Sequence, residues 1–258
     1  MGETSRQPFP QSLILRLQSA QHVTVMTGAG ISAESGVPTF REAQTGLWAH
    51  FNPEDLATPE AFRRDPRLVW EWYAWRRELV SQVQPNPGHQ ALVEMEVHYP
   101  IFTLITQNVD GLHQRAGSGQ RFPTIELHGN IQRTKCSREN RLVQDWGATD
   151  EVPPRCPNCG SLLRPDVVWF GETLPSNALD AAREAAQECE VFFSIGTSSL
   201  VEPAASLSFL AQQAGKCVIE INPNSTPLTL HASYVLNGPA GEVLPALVKA
   251  VWGNESPH

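Results

Sequence analysis

His22-Val-Thr-Val-Met-Thr-Gly-Ala-Gly-Ile-Ser-Ala33 decides the fold class. Its first five residues are mostly apolar or β-branched and show no polar alternation before Gly28-Ala-Gly30. A strand that is apolar on both sides has to be covered on both sides, which is the habit of a parallel sheet sandwiched by helices. The turn that follows opens a helix. Its two glycines let the backbone approach a pyrophosphate, and the helix N-terminus attracts the same charge. Ala33 fills the third small position of that pattern. Taken alone, Gly-x-Gly also serves simply to make a tight bend.

The same design recurs along the chain. Residues 101–106 lead into Gln107-Asn-Val-Asp110, residues 191–195 into Gly196-Thr-Ser-Ser199, and residues 217–221 into Asn222-Pro-Asn224. Strands separated by helical stretches predict an α/β fold with a Rossmann-like parallel sheet and helices on both faces. In open parallel sheets ligands bind beyond the carboxyl ends of the strands, so the chemistry is expected at these small or polar clusters. Two stretches break the alternation. Residues 41–87 read as helices and loops rich in Trp and Arg, and residues 131–165 as an irregular segment holding three of the five cysteines. Both are expected to build a smaller domain, a helical insertion plus a Cys-containing, zinc-type module. The larger domain then takes 10–40, 88–130 and 166–252.

Composition narrows the function classes. A hydrophobic fraction of 41% in 258 residues supports a sizeable core. A net charge of −8 argues against a phosphate-backbone binder. No apolar run has the length of a membrane span, and the first residues lack the apolar core of a signal peptide. An odd number of cysteines fits reduced thiols or metal ligation better than a disulfide framework. A cytoplasmic monomer without membrane or nucleic-acid partners is the expectation.

The glycine turn is not followed by the acidic residue, about 20 positions on, that normally holds a ribose in a dehydrogenase. The chain runs instead into Glu34-Ser-Gly-Val-Pro-Thr-Phe-Arg41. A hydride-transferring reading fits poorly. Gln107, Asn108 and Asp110 crowd the end of a buried strand, which is costly unless something binds them. Asn and Asp also cap helices, but Gln is not a capping type, so binding is the favoured reading. His128, in Glu126-Leu-His-Gly129, has the side chain whose ordinary pKa suits proton transfer near neutrality, and Gly129 is expected to keep its surroundings open.

Together these stretches resemble the sirtuin family of NAD-dependent protein deacylases. The matching segments are 28–41, Thr106-Gln-Asn-Val-Asp-Gly-Leu-His113, 126–129, Leu163-Arg-Pro-Asp-Val-Val-Trp-Phe-Gly-Glu172, Gly196-Thr-Ser-Ser199 and Glu220-Ile-Asn222, in one order over about residues 21–245. The resemblance implies roles. Gly28, Ala29, Gly30, Ala33, Phe40 and Arg41 would meet the pyrophosphate and nicotinamide end of NAD. Gln107, Asn108 and Asp110 would hold the nicotinamide and its ribose. Gly196, Thr197, Ser198, Asn222 and Ala240 would meet the phosphates and the adenosine half. Val168, Trp169 and Phe170 would pair as a strand with an acylated lysine peptide. The implied reaction consumes NAD as a co-substrate. The acyl oxygen attacks C1′ of the nicotinamide ribose, nicotinamide leaves, and His128 deprotonates a ribose hydroxyl. The products are free lysine and O-acyl-ADP-ribose.

Two features depart from the commonest pattern of that family. Cys156-Pro-Asn-Cys159 has zinc-knuckle spacing and Cys136 is a plausible third ligand, but Cys136-Ser-Arg-Glu139 stands where a second Cys-x-x-Cys is usual. Glu139 could supply oxygen, or the module could fold without metal. Cys189 and Cys217 read as buried thiols. Within 68–83, Leu68, Trp72, Trp75, Leu79 and Val83 are expected to form an apolar helical stripe with Tyr73 and Arg76 at its edge. An Arg there could simply reach solvent or a surface acid. An Arg and a Tyr hydroxyl beside an apolar wall also make a carboxylate clamp. The pair matches the Tyr-x-x-Arg of class III sirtuins, as does Thr39, where most of the family has Asp. Succinyl or malonyl lysine is therefore the expected substrate, ahead of acetyl-lysine. The competing readings are a plain deacetylase, an NAD-linked oxidoreductase and a non-catalytic NAD sensor or peptide-binding module.

Overall fold

The computed structural model describes residues 9–37 and 52–253. Helix α1 (Gln11–Ser19) leads into strand β1 (His22–Thr27) and the single turn α2 (Gly30–Ala33). Helices α3 (Pro53–Leu56), α4 (Pro59–Arg64), α5 (Pro66–Gln82) and α6 (Pro87–His98) precede β2 (Ile101–Thr106). Then come α7 (Leu112–Ala116), β3 (Ile125–Glu126), β4 (Gly129–Cys136), β5 (Leu163–Val167) and α8 (Ser176–Glu188). The chain finishes with β6 (Val191–Ile195), α9 (Ser206–Gln213), β7 (Cys217–Asn222), β8 (Tyr234–Asn237) and α10 (Ala240–Trp252).

Six of these strands form one sheet in the order β3-β2-β1-β6-β7-β8, parallel throughout. The chain starts in the middle at β1, steps outward to β3, then returns to the other side of β1 and steps outward again. Strand order therefore reverses between β1 and β6, and the crevice beyond their carboxyl ends is where such sheets take ligands. The strands expected from the sequence are all present, with β1 and β7 each running one residue further than expected.

Burial explains the missing polar alternation. Val23, Val25, Leu104 and Phe193 pack with α1, α6 and α10 through Leu13, Leu17, Leu92, Met95, Leu244 and Leu247. Met26, Ile105, Phe192 and Val218 face the opposite side, against Ala182 and Ala186 of α8 and Leu207 and Ala211 of α9. Adjacent residues such as Phe192 and Phe193 thus enter different cores, each fully buried. The polar Thr24 joins them by donating its hydroxyl to the Ala185 carbonyl at 3.0 Å. Among the described residues no helix is long and apolar enough to cross a membrane.

A third cluster gathers Leu56, Ala57, Phe62, Val69, Trp72, Tyr73, Val80, Ile131, Val167 and Trp169. Val167 and Trp169 lie in it although they follow position 166. Asp65 starts α5 by accepting from the Leu68 N–H at 2.9 Å, and Pro66 fits the first turn, where its missing N–H costs nothing. The buried face of α5 is Val69, Trp72, Tyr73 and Val80. The expected stripe is thus rotated: Leu68, Trp75, Leu79 and Val83 are only partly buried, and Tyr73 lies at the centre rather than the edge. On that face the Tyr73 hydroxyl accepts a hydrogen bond from Trp169 Nε1 at 3.0 Å, a polar partner that apolar periodicity cannot register. The segment expected to be irregular is also more ordered than its composition suggested, since β4 and β5 pair antiparallel at its two ends.

Helix α6 starts with a capping box. The Asn86 side chain accepts from the Gly88 N–H at 2.9 Å and the Asn86 N–H donates to His89 Nδ1 at 3.3 Å. His89 packs on His113 of α7, ring centroids 4.9 Å apart. Burial drives the His89 imidazole down to about 4 and the His113 imidazole to about 3, the latter also feeling His89. Both rings are therefore neutral in the folded chain at neutral pH. Unfolded, each titrates near 6.5. As pH falls from 6.5 towards 4 the unfolded chain takes up protons that the folded chain refuses, so stability held above pH 6.5 is lost, by up to about 1.4 kcal/mol per pH unit from each ring. Urea unfolding of wild type and His89→Gln between pH 7 and 4.5 should show a shallower pH dependence in the variant; equal slopes would exclude His89 as a source of the acid sensitivity.

Candidate active site at the ends of β1, β2 and β6

The turns after β1 and β6 touch through bare backbone. The Gly28 N–H donates to the Ile195 carbonyl at 2.9 Å and the Gly30 N–H to the Gly196 carbonyl at 2.8 Å. A Cβ on Gly30 would sit 2.7 Å from Gly196 Cα, and one on Gly196, whose φ is +59°, would sit 2.5 Å from the Ile31 nitrogen. Neither position tolerates a side chain. Ala29 is exposed at the mouth of the crevice. Ala33 is exposed as well and packs nothing against the sheet; Ile31 and Ser32 are the buried residues of α2, because the turn is too short to bring a third small residue round. Phe40 and Arg41, with Thr39, lie outside the described residues.

The polar residues after β2 are brought together with those turns. Gln107 Nε2 donates to Thr197 Oγ1 at 3.1 Å. Asn108 Nδ2 donates to the Gly28 carbonyl and to Ser32 Oγ, both at 3.1 Å. Ser32 Oγ in turn donates to Asp110 Oδ2 at 2.7 Å. Asp110 Oδ1 accepts from the Leu112 N–H at 2.9 Å, an Asx-turn ahead of α7, whose N-cap is Gly111, whereas Gln107 and Asn108 reach across the strand ends. Burial raises the Asp110 carboxyl above its ordinary value, opposed by those two hydrogen bonds. On the far side, Asn222 Nδ2 donates to the Thr197 carbonyl at 2.8 Å, Ser198 is exposed, and Ala240 is buried at the start of α10.

His128 stands half-buried at the edge of this group. Its Nδ1 lies 2.8 Å from the Gln107 carbonyl. A carbonyl only accepts, so the ring proton is on Nδ1 and the free lone pair is on Nε2. Burial lowers the imidazole below its ordinary 6.5, with the Gln107 bond acting the other way. Gly129 does not open space beside it: the residue has φ +81° and a Cβ there would lie 2.1 Å from the Asp166 carbonyl oxygen. It is glycine because β4 and β5 press together at that point, and this crowding fixes His128.

Val168, Trp169 and Phe170 follow β5 rather than extend it. Their N–H groups are engaged by the His128 carbonyl at 2.9 Å, by Glu172 Oε2 at 2.8 Å and by the Ala57 carbonyl at 2.9 Å. In this conformation a peptide could pair only with their carbonyls. Arg164 grips Glu172 through both guanidinium nitrogens, at 2.6 and 2.9 Å, and lies over the Trp169 ring at 3.2 Å. Ser32, Arg164 and Glu172 received no role from the sequence, although each lies inside a matched segment. Their signal was weak because each acts on a neighbour rather than at the crevice.

Comparison with known proteins agrees with this geometry. The Sir2 family profile matches residues 28–203. An NAD-dependent protein deacylase of Methylococcus capsulatus is 49% identical over 251 residues, 94% of this chain and 97% of that protein. One of Aquifex aeolicus is 56% identical over 209 residues, 81% and 86% of the two chains. The chain belongs to the Sir2 family. A crystal structure of a Sir2 homolog–NAD complex superposes with a TM-score of 0.87 at 47% identity, over 96% of each chain. A Sir2–p53 peptide–NAD+ structure superposes with a TM-score of 0.80 at 29% identity, over 95% of this chain and 99% of that one.

This Sir2 chain gathers its cysteine module as well. Cys136, Cys156, Cys159 and Glu139 present ligand atoms that all lie within 4.8 Å of one another. Cys136 Sγ and Cys159 Sγ are 3.4 Å apart, and the Glu139 N–H points at Cys136 Sγ. Tetrahedral zinc with Zn–S bonds near 2.3 Å places sulfurs about 3.8 Å apart, so the donor set fits zinc with little movement. Cys189 is buried, its thiol pushed up to about 11 by desolvation, and Cys217 packs partly buried against the core. Protein prepared without chelator should carry close to one zinc per chain by elemental analysis, and Glu139→Ala should lose it at a chelator concentration that Glu139→Cys withstands. Well under one zinc in wild type would remove the metal, and equal retention by both variants would remove Glu139 as its fourth ligand.

Proposed function

We propose that this chain removes acyl groups from protein lysines in an NAD-dependent reaction, with succinyl and malonyl groups preferred over acetyl. The observation that carries the reading is His128. Its proton is held on Nδ1 by the Gln107 carbonyl, its basic Nε2 is left free, and Gln107 opens the cluster that holds Asn108 and Asp110. When bound, NAD supplies the ribose carbon that the acyl oxygen attacks and the nicotinamide that leaves. Gln107, Asn108 and Asp110 orient the nicotinamide end. The turns at 28–30 and 196–198, with Asn222 and Ala240, hold the phosphates and adenosine. His128 Nε2 takes the proton of a ribose hydroxyl. A cationic sugar needs fixed dipoles more than a protein nucleophile, and this partly buried polar cluster supplies them. In this reading, residues 41–87 and 131–165 form the small domain and the acylated peptide lies along 168–170. The protein acts as a cytoplasmic monomer, in keeping with five free cysteines.

Replacing His128 by Ala should lower deacylation by two to four orders of magnitude, roughly 3–5 kcal/mol of barrier, with NAD affinity little changed. Because burial lowers the imidazole, wild-type kcat/KM should fall on the acid side only below pH 6.5. Near-normal turnover in the variant, or an acid limb centred above 6.5, would assign the proton transfer elsewhere.

The acyl preference rests on α5. Tyr73 is buried with its oxygen accepting from Trp169, which leaves its proton for a further acceptor, and burial pushes the phenol up to about 12. Arg76 is on the same face, its guanidinium 5.2 Å from the Trp72 ring centroid. Desolvation disfavours its charge, with Tyr73 acting in the opposite direction. A substrate carboxylate would offset that desolvation, and an acetyl group has none to offer. The Tyr73–Trp169 bond also ties this face to the segment proposed for peptide binding. Arg76→Met should depress succinyl-lysine turnover by about 1.5–3 kcal/mol, the worth of a hydrogen bond to a charged group, and acetyl-lysine turnover much less. Equal slowing of both would make Arg76 structural.

A further inference from the structure

A chain of buried hydrogen bonds runs beneath the crevice and ends on Asn108. The Asn108 N–H donates to Thr106 Oγ1 at 3.0 Å. Thr106 Oγ1 also accepts from Thr27 Oγ1 at 2.9 Å, the two threonines being register partners at the ends of β2 and β1. Thr27 Oγ1 lies 2.9 Å from His113 Nε2. A hydroxyl has one proton and can turn: the chain run in reverse would make His113 Nε2 the acceptor, whereas with the Thr27 proton given to Thr106 His113 Nε2 is the donor. His113 Nδ1 then carries a lone pair.

The neighbouring ring decides between the two directions. The Asn86 N–H donates to His89 Nδ1, so the proton of neutral His89 is on Nε2. His89 Nε2 and His113 Nδ1 are both buried without a partner, on rings whose centroids are 4.9 Å apart. One is a donor and the other an acceptor. An Nδ1–H tautomer of His113 would instead leave a second buried donor unpaired, which desolvation penalises. All four side chains of this chain, Thr27, Thr106, His89 and His113, are buried.

We propose that His113 is a positioning residue for the reaction. Its neutral Nε2–H tautomer fixes the Thr27 hydroxyl, Thr27 fixes Thr106, and Thr106 holds the backbone of Asn108 in place. The Asn108 side chain is thereby set against Gly28 and Ser32 at the mouth of the crevice. This rests on the nicotinamide-side role given to Asn108 above. His113 touches no substrate and acts only through the two threonines. Its burial also keeps it neutral across the working range of the enzyme, so the direction of the chain does not alter with pH.

Thr27 separates this proposal from mere packing. Thr27→Val keeps the shape and removes the hydroxyl; Thr27→Ser keeps the hydroxyl and removes a methyl group. Loss of the relay should lower kcat for nicotinamide release about tenfold in Thr27→Val, with ADP-ribose affinity unchanged, while Thr27→Ser stays within about threefold of wild type. A packing role gives the reverse order. In an Asn108→Ala background the added Thr27→Val change should have no further effect on residual turnover, because both act through one residue. Full additivity there, or an Nδ1–H His113 in long-range 1H–15N spectra of the wild type, would overturn the proposal. Failure of the underlying reading looks different: Asn108→Ala alone would then leave nicotinamide release at the wild-type rate.

Discussion

Everything at the site hangs on the contact between the turn after β1 and the turn after β6. Gly28 and Gly30 donate their N–H groups to Ile195 and Gly196, and no Cβ fits on either side. That approach falls where strand order reverses, the place at which such sheets take ligands. It brings Thr197 within reach of Gln107 and places Gly28 so that its carbonyl can anchor Asn108. A side chain at Gly196 would separate the two halves of the sheet at the crevice, even though the contact is remote from His128.

Hydrogen-bond polarity supplies the second constraint. Two of three buried or half-buried histidines have a nitrogen facing a group of fixed character, a carbonyl for His128 and a backbone N–H for His89, while His113 faces a hydroxyl whose direction is set by the unpaired His89 Nε2–H. Each tautomer therefore follows from its neighbours. Burial lowers all three pKa values, yet His113 Nδ1 is sealed in the interior without a partner, whereas His128 Nε2 is not among the buried unpaired atoms. In the proposed reading the same physical effect would suit His128 to act as a base and the other two to act as struts, and the difference lies in where the remaining lone pair lies.

The sheet was legible in the sequence because a strand buried on both faces leaves an apolar run ended by a small or polar cluster, as at Val191-Phe-Phe-Ser-Ile195 before Gly196. The crevice residues were legible for the same reason: Gln107 and Asn108 have no reason to crowd a strand end unless they reach across it. What escaped the sequence were side chains whose partners are distant in the chain. Tyr73 on the buried face of α5 bonds Trp169, 96 residues away, and no periodicity carries that information. Gly129 looked like an opening and is a point of contact, because a glycine signals missing bulk without saying whether backbone or solvent takes its place. Ala33 matched a dinucleotide-binding pattern that presumes a longer helix than the single turn at Gly30–Ala33.

The departure at Glu139 can be judged on charge and softness separately. Four thiolates around Zn2+ leave a net charge of about −2, and three thiolates with one carboxylate leave the same. The exchange therefore does not disturb the electrostatics of the module. What changes is softness, since a carboxylate oxygen is a harder ligand than sulfur and leaves the metal less discriminating against other divalent ions. Geometry also stays the same: Glu139 follows Cys136 by three positions, its own N–H directed at the Cys136 sulfur, much as the second cysteine of a knuckle would be placed. Leu163 and Val143 pack around Cys136 and Cys156, so the apolar shell of the site is retained. If these four groups hold zinc, a substitution that preserves charge, spacing and shell while altering ligand softness would confine its consequences to how firmly the metal is held.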